Sequence, residues 1–136
     1  MAEIEDREGL IAAALAHHQA GQLAEAEISY KAALKMAPDS GGVLHNLGVL
    51  AAETGRHREA IGYFDRAIAG EPAYASAYFN KANALHALGH NAGALENYRH
   101  VVSLDPGHYE AHRALGYLWQ AEGRRDRSLD HFARTY

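Results

Sequence analysis

The sequence predicts an all-α fold, a solenoid of four helix–turn–helix repeats with eight helices. Three observations predict it. First, punctuating residues recur every 34 positions: Gly21, Gly55, Gly89 and Gly123, and likewise Pro38, Pro72 and Pro106. Second, bulky and small residues keep the same phase: Tyr30, Phe64, Tyr98 and Phe132, with Ala26, Ala60, Ala94 and Ser128. Third, the apolar residues between these landmarks recur in steps of three and four, the spacing of one buried helix face. A fixed period of roughly 20–50 residues marks a repeat architecture.

Counting the recurrent glycine as position 15, the units start at Arg7, Gly41, Ala75 and Tyr109 and cover 7–40, 41–74, 75–108 and 109–136, the last incomplete. Helices are expected over 7–20 and 23–36 in the first unit, and over 41–54 and 57–70 in the second. The third unit gives 75–88 and 91–104, the fourth 109–122 and 125–135. In the second unit Leu44, Leu47, Gly48 and Ala51 form one stripe, and Ala60, Ile61, Phe64, Ala67 and Ile68 the next. The glycine ends each first helix because only glycine enters the left-handed cap conformation without a Cβ penalty. The proline stops each second helix, lacking an N–H and disfavouring helix in the residue before it. Position 8 (Ala14, Gly48, Ala82, Gly116) and position 20 are small, which lets two helix axes approach closely while the aromatic at position 24 fills the space between units.

Composition agrees. The apolar fraction is 48% and the charged fraction 22%, which places the chain among globular proteins. The net charge of −4 gives nucleic acid or an anionic membrane no basic surface to bind. The absence of cysteine excludes disulfides, thiol nucleophiles and Cys-ligated zinc, and fits a reducing, cytoplasmic setting. No apolar run is long enough to span a bilayer, so membrane insertion is not expected. The apolar stretch from Gly9 to Ala16 follows Glu3, Glu5, Asp6 and Glu8, the wrong charge for a signal peptide.

The pattern at positions 4, 7, 8, 11, 20, 24, 27 and 32 resembles the tetratricopeptide repeat family. The second unit matches best, with Leu44, Leu47, Gly48, Ala51, Ala60, Phe64, Ala67 and Pro72. Departures are Ala13, Ala14 and His17 in the first unit, Lys81 at position 7 of the third, and His112 and Ser128 in the fourth. The resemblance covers residues 7–136 and implies a right-handed superhelix whose first helices line a concave, protein-binding groove. It assigns Ile11, Leu15, His45, Val49, Phe79, Asn83, His86, Arg113 and Tyr117 to that groove. Phe79 and Tyr117 are expected as anchors, and His45, His86 and Arg113 as polar selectors. Partial burial of Val49 and Phe79 in the core is the alternative.

Asn46 and Asn80 share position 6, and their amides offer both a donor and an acceptor. With Asn83 they are candidate readers of a peptide backbone. The pair resembles the asparagine ladder of O-linked N-acetylglucosamine transferase-like repeats, although the outer units carry Ala12 and Ala114 there. Local capping or turn hydrogen bonding within the helix is the alternative. The clamp that binds chaperone C-terminal tails is absent. Its positions read Ile11, Leu15, Asn46, Ser76 and Asn80 in one register, and His45, Val49, Asn80, Glu110 and Ala114 in the next, with no cation in either.

No catalytic motif, metal site or cofactor site is expected. His86 and His90 have metal-like spacing, but His90 lies past Gly89 in the turn and no carboxylate accompanies the pair. The runs Arg56-His57-Arg58 and Arg124-Arg125-Asp126-Arg127 read as solvated faces. The fourth unit stops at Tyr136 inside its second helix, without the polar closing helix such arrays use. Three functions follow: a non-catalytic module binding a protein or peptide segment, a targeting arm of a larger bacterial-style transferase or oxygenase, or a scaffold that forms homo-oligomers through its uncapped end.

Overall fold

A computed structural model describes residues 2–123, and the side chains of 6–121. All secondary structure among the described residues is helical. The helices are α1 (Ala2–Gln19), α2 (Leu23–Met36), α3 (Gly41–Glu53), α4 (His57–Gly70), α5 (Ala75–Ala87), α6 (Asn91–Leu104) and α7 (Tyr109–Gly123). The expected eighth helix, with Ser128, Phe132 and the second arginine run, lies outside the described residues. α1 starts at Ala2 instead of residue 7. Alanine and glutamate dominate that added stretch, and both are strong helix formers.

The turns follow the punctuation. Gly21, Gly55 and Gly89 have φ of +79°, +79° and +81°. The Gly21 N–H donates to the His18 carbonyl at 3.1 Å and the Gln22 N–H to the His17 carbonyl at 2.8 Å, a Schellman cap. The same two bonds recur at Gly55–Arg56 and Gly89–His90. A Cβ at Gly55 would meet nothing within 4 Å, so only backbone strain opposes one. Gly55→Ala is therefore expected to lower stability by about 1 kcal/mol, read as a shifted urea midpoint at unchanged slope.

At the other end of each unit, the residues before proline are forced out of the helix. Ala37, Glu71 and Asp105 have φ of −144°, −140° and −139°. Three residues further on, the N–H of Ser40, Tyr74 and His108 donates back to those residues' carbonyls at 3.1, 3.1 and 3.0 Å. Ser40 then caps α3 through Oγ, which accepts from the Val43 N–H at 3.4 Å. The His108 Nδ1 accepts from the Ala111 N–H at 3.1 Å and caps α7 in the same way, which requires that nitrogen unprotonated.

α1 packs on α2, α3 on α4 and α5 on α6, while α2–α3, α4–α5 and α6–α7 join successive pairs. The small residues at positions 8 and 20 and the aromatics at 24 are buried together: Ala14, Ala26 and Tyr30; Gly48, Ala60 and Phe64; Ala82, Ala94 and Tyr98. Lys81, the polar departure at position 7, pairs with Asp65 at 2.7 Å.

The first arginine run is not merely a solvated face. The Arg56 guanidinium donates to both carboxylate oxygens of Glu27 on α2, at 2.8 and 2.9 Å, and to Glu59 at 2.7 Å. It thereby ties α4 to the preceding unit. Its partner Glu27 also meets Lys31 at 2.9 Å.

Candidate functional site

α3 and α5 touch directly, so the first helices of successive units present a common face. Two concavities lie along it. One, of about 280 Å³, is lined by Val49, Ala52 and Phe64, by Ala84, and by the polar residues Glu53, His57, Asn80 and Asn83. The other, of about 330 Å³, lies between α5 and α7 against Phe79, Asn83, Glu110, Arg113, Ala114 and Tyr117. Asn83 borders both.

Of the residues assigned to the groove, Val49, Phe79, Asn80, Asn83, Arg113 and Tyr117 line these concavities. Tyr117 has 62% of its surface exposed, and Leu15, Asn83, His86 and Arg113 are also exposed. Ile11 is half-buried and packs on the first core cluster, away from both concavities. Phe79 is half-buried, 4.7 Å from the His108 ring and 5.8 Å from that of Tyr98. The sequence offered groove and core as alternatives for Phe79, and its ring packs against the core cluster that includes Tyr98 while lining the second concavity.

The amides are partly engaged. The Asn80 Nδ2 donates to His45 Nε2 at 2.9 Å, which leaves its carbonyl oxygen as an acceptor. Tyr98 donates its hydroxyl to the Asn83 Oδ1, which leaves that residue's NH₂ as a donor. Burial pushes the Tyr98 phenol up to about 12, so it stays a donor at neutral pH. Asn46 is half-buried and bonds to no described side chain.

His45 is drawn into the interior. It lies 5.0 Å from the Tyr74 ring and 5.7 Å from that of Phe64. Burial lowers its pKa, opposed by a hydrogen bond to the Ser76 backbone, so it favours the neutral form that accepts from Asn80. His18 links three helices: its Nδ1 meets the Tyr30 hydroxyl at 3.1 Å and its Nε2 the Glu53 carboxylate at 2.5 Å. Ala52 and Glu53 stand at positions 12 and 13, which the resemblance assigns to the groove, whereas His57 was read only as part of a solvated run. Aligning position 12 across the units (His18, Ala52, His86) carries the signal, because a small residue replaces an imidazole where the first concavity opens.

Stacked helix pairs with an open, side-chain-lined face define a helical-repeat interaction module. The chain belongs to the tetratricopeptide repeat family: models described as tetratricopeptide repeat match residues 8–40, 45–99 and 79–136. It is 31% identical over 110 residues to the human protein O-mannosyl-transferase TMTC1, a match covering 81% of this chain and 12% of that protein. It is 40% identical over 92 residues to human tetratricopeptide repeat protein 36, covering 65% of this chain and 49% of that one. The chain thus spans half or less of these relatives.

Among solved structures, MamA superposes with a TM-score of 0.87 at 25% identity, covering 93% of this chain and 74% of that one. The Thermobaculum terrenum O-GlcNAc transferase gives 0.82 at 27%, covering 93% and 24%. The first repeat domain of Spaghetti (RPAP3), bound to the HSP90 peptide SRMEEVD, gives 0.83 at 22%, covering 86% and 93%, a likeness of fold. No helix among the described residues is long and apolar enough to cross a membrane.

Proposed function

We propose that the chain is a non-catalytic module that binds an extended segment of a partner protein along the α3–α5–α7 face. The units are 7–40, 41–74, 75–108 and 109–136. The observation that supports this reading is the placement of Asn80 and Asn83 on the first concavity, with Asn83 bordering the second as well. One offers a carbonyl acceptor and the other an NH₂ donor, the complement of a peptide unit's N–H and C=O. Such contacts hold a backbone whatever its side chains, while the concavities on either side select side chains. Chaperone-tail peptides are not the ligand, because Ile11, Leu15 and Ser76 stand where the clamp would need charge or amide.

Exposed Tyr117 and Arg113 make the clean test, since their removal leaves the core intact. Arg113→Ala with Tyr117→Ala is expected to weaken capture of a bound peptide about tenfold or more, with an unchanged melting midpoint. Undiminished affinity in a polarisation titration would remove the groove assignment.

A targeting arm is the second reading. It is supported by the match to small fractions of two larger transferases, 12% of TMTC1 and 24% of the Thermobaculum enzyme. The reading frame beyond Tyr136 decides it: a fused transferase or oxygenase domain supports the arm, and an immediate stop codon removes it. Self-association through the fourth unit predicts a dimer that strengthens with concentration, and a concentration-independent monomer in sedimentation excludes it.

A further inference from the structure

We propose that the concavity between α3 and α5 receives a tyrosine side chain of the bound segment. This rests on the groove reading above and names one residue the groove selects. The space arises from two differences between repeats. In the first unit His18 stands edge-on to Tyr30, ring centres 5.8 Å apart at 82°, and bonds its hydroxyl. The second unit carries Ala52 and Phe64 at the same two positions, so an imidazole and a phenolic hydroxyl are both missing. About 280 Å³ opens there, against the Phe64 ring, Val49, Ala52 and Ala84. An aromatic side chain in that space regains the edge-to-face contact the first unit makes internally.

The polar lining selects among aromatic and charged candidates. It consists of Glu53, His57, Asn80 and Asn83, with no lysine or arginine. A carboxylate or phosphate would meet Glu53 without a counter-charge. An ammonium group could meet Glu53 and the Asn80 carbonyl, but it offers no acceptor to the Asn83 NH₂ and no ring to the Phe64 face. A phenolic hydroxyl both donates and accepts, so it can take the Asn83 N–H and give to the Asn80 carbonyl. His57 also borders the space, and its Nδ1 is buried with no hydrogen-bond partner among the described residues.

The test is selection of a displayed random-peptide library on the wild-type chain. Synthetic peptides then carry tyrosine, alanine or phosphotyrosine at the enriched position. We expect enrichment of tyrosine, an affinity loss of about tenfold or more for alanine, and no binding of the phosphorylated form. Ala52→His restores the imidazole of the neighbouring units and should cost the same factor. On that variant the tyrosine-to-alanine change should cost nothing further. Ala52→Leu fills the space without a titratable group and should behave alike, which guards against misfolding of the histidine variant. Enrichment of a different residue overturns the tyrosine assignment. So does a tyrosine peptide that both filled variants bind normally but that is lost with Arg113→Ala and Tyr117→Ala, an outcome that leaves the groove reading standing. A library that yields no binder overturns both.

Discussion

Truncating Phe64 to alanine is expected to cost about 3–5 kcal/mol, the largest effect of any single change argued here. Its ring is fully buried and lies against α3 where Gly48 has no side chain. A Cβ built on Gly48 would sit 2.4, 2.7 and 2.8 Å from three atoms of that ring, closer than real contacts allow. Gly48→Ala should therefore destabilise as well. Overpacking costs about 1–3 kcal/mol, and the better helix propensity of alanine returns about 1.

The same position carries Ala14 and Ala82 in the flanking units, where Tyr30 and Tyr98 replace Phe64. Those rings are tethered at their hydroxyls to His18 and Asn83 and coexist with a Cβ. Ala82→Gly should thus destabilise through lost propensity, so the exchange is destabilising in opposite directions in adjacent repeats. Urea denaturation of Gly48→Ala, Ala82→Gly and Phe64→Ala checks this. A Gly48→Ala variant more stable than wild type would show that the ring moves aside freely.

The repeat frame was legible because its determinants are local. A glycine at a left-handed cap or a proline after a helix acts on its own few residues, so Gly21, Gly55, Gly89, Pro38 and Pro72 announce their turns without tertiary information. Burial of Ala26, Ala60, Ala94 and the aromatics follows from the period alone. The face was only partly legible. The resemblance assigned Asn83, Arg113 and Tyr117 to the groove, and they line the concavities, but it does not say what an amide or imidazole is already bonded to. His45 meets Asn80 from 35 residues away and Tyr98 meets Asn83 from 15, contacts that no local pattern encodes. Arg56 was read as solvated for the same reason, since its partner Glu27 lies 29 residues back.

That pair carries the second large effect, and it depends on pH. The Arg56 guanidinium, helped by Lys31, lowers the Glu27 carboxyl from 4.5 to about 2 against an opposing desolvation. A carboxyl whose folded pKa lies below its unfolded value stabilises the fold above the unfolded pKa. That contribution is lost as pH falls through the folded one. The window is therefore from about pH 4.5 down to about 2. Taken whole, a shift of that size corresponds to about 3 kcal/mol. Arg56 is 38% exposed, so solvent screening leaves about 1–2 kcal/mol. Glu27→Gln should lose that amount at neutral pH and flatten the acid limb of the stability curve. Arg56→Ala should do at least as much, because it also releases Glu59 and the Thr54 hydroxyl. High salt should shrink both differences, since the pair bridges two units near the surface. Parallel acid limbs for wild type and Glu27→Gln would show that the pair contributes nothing to folding.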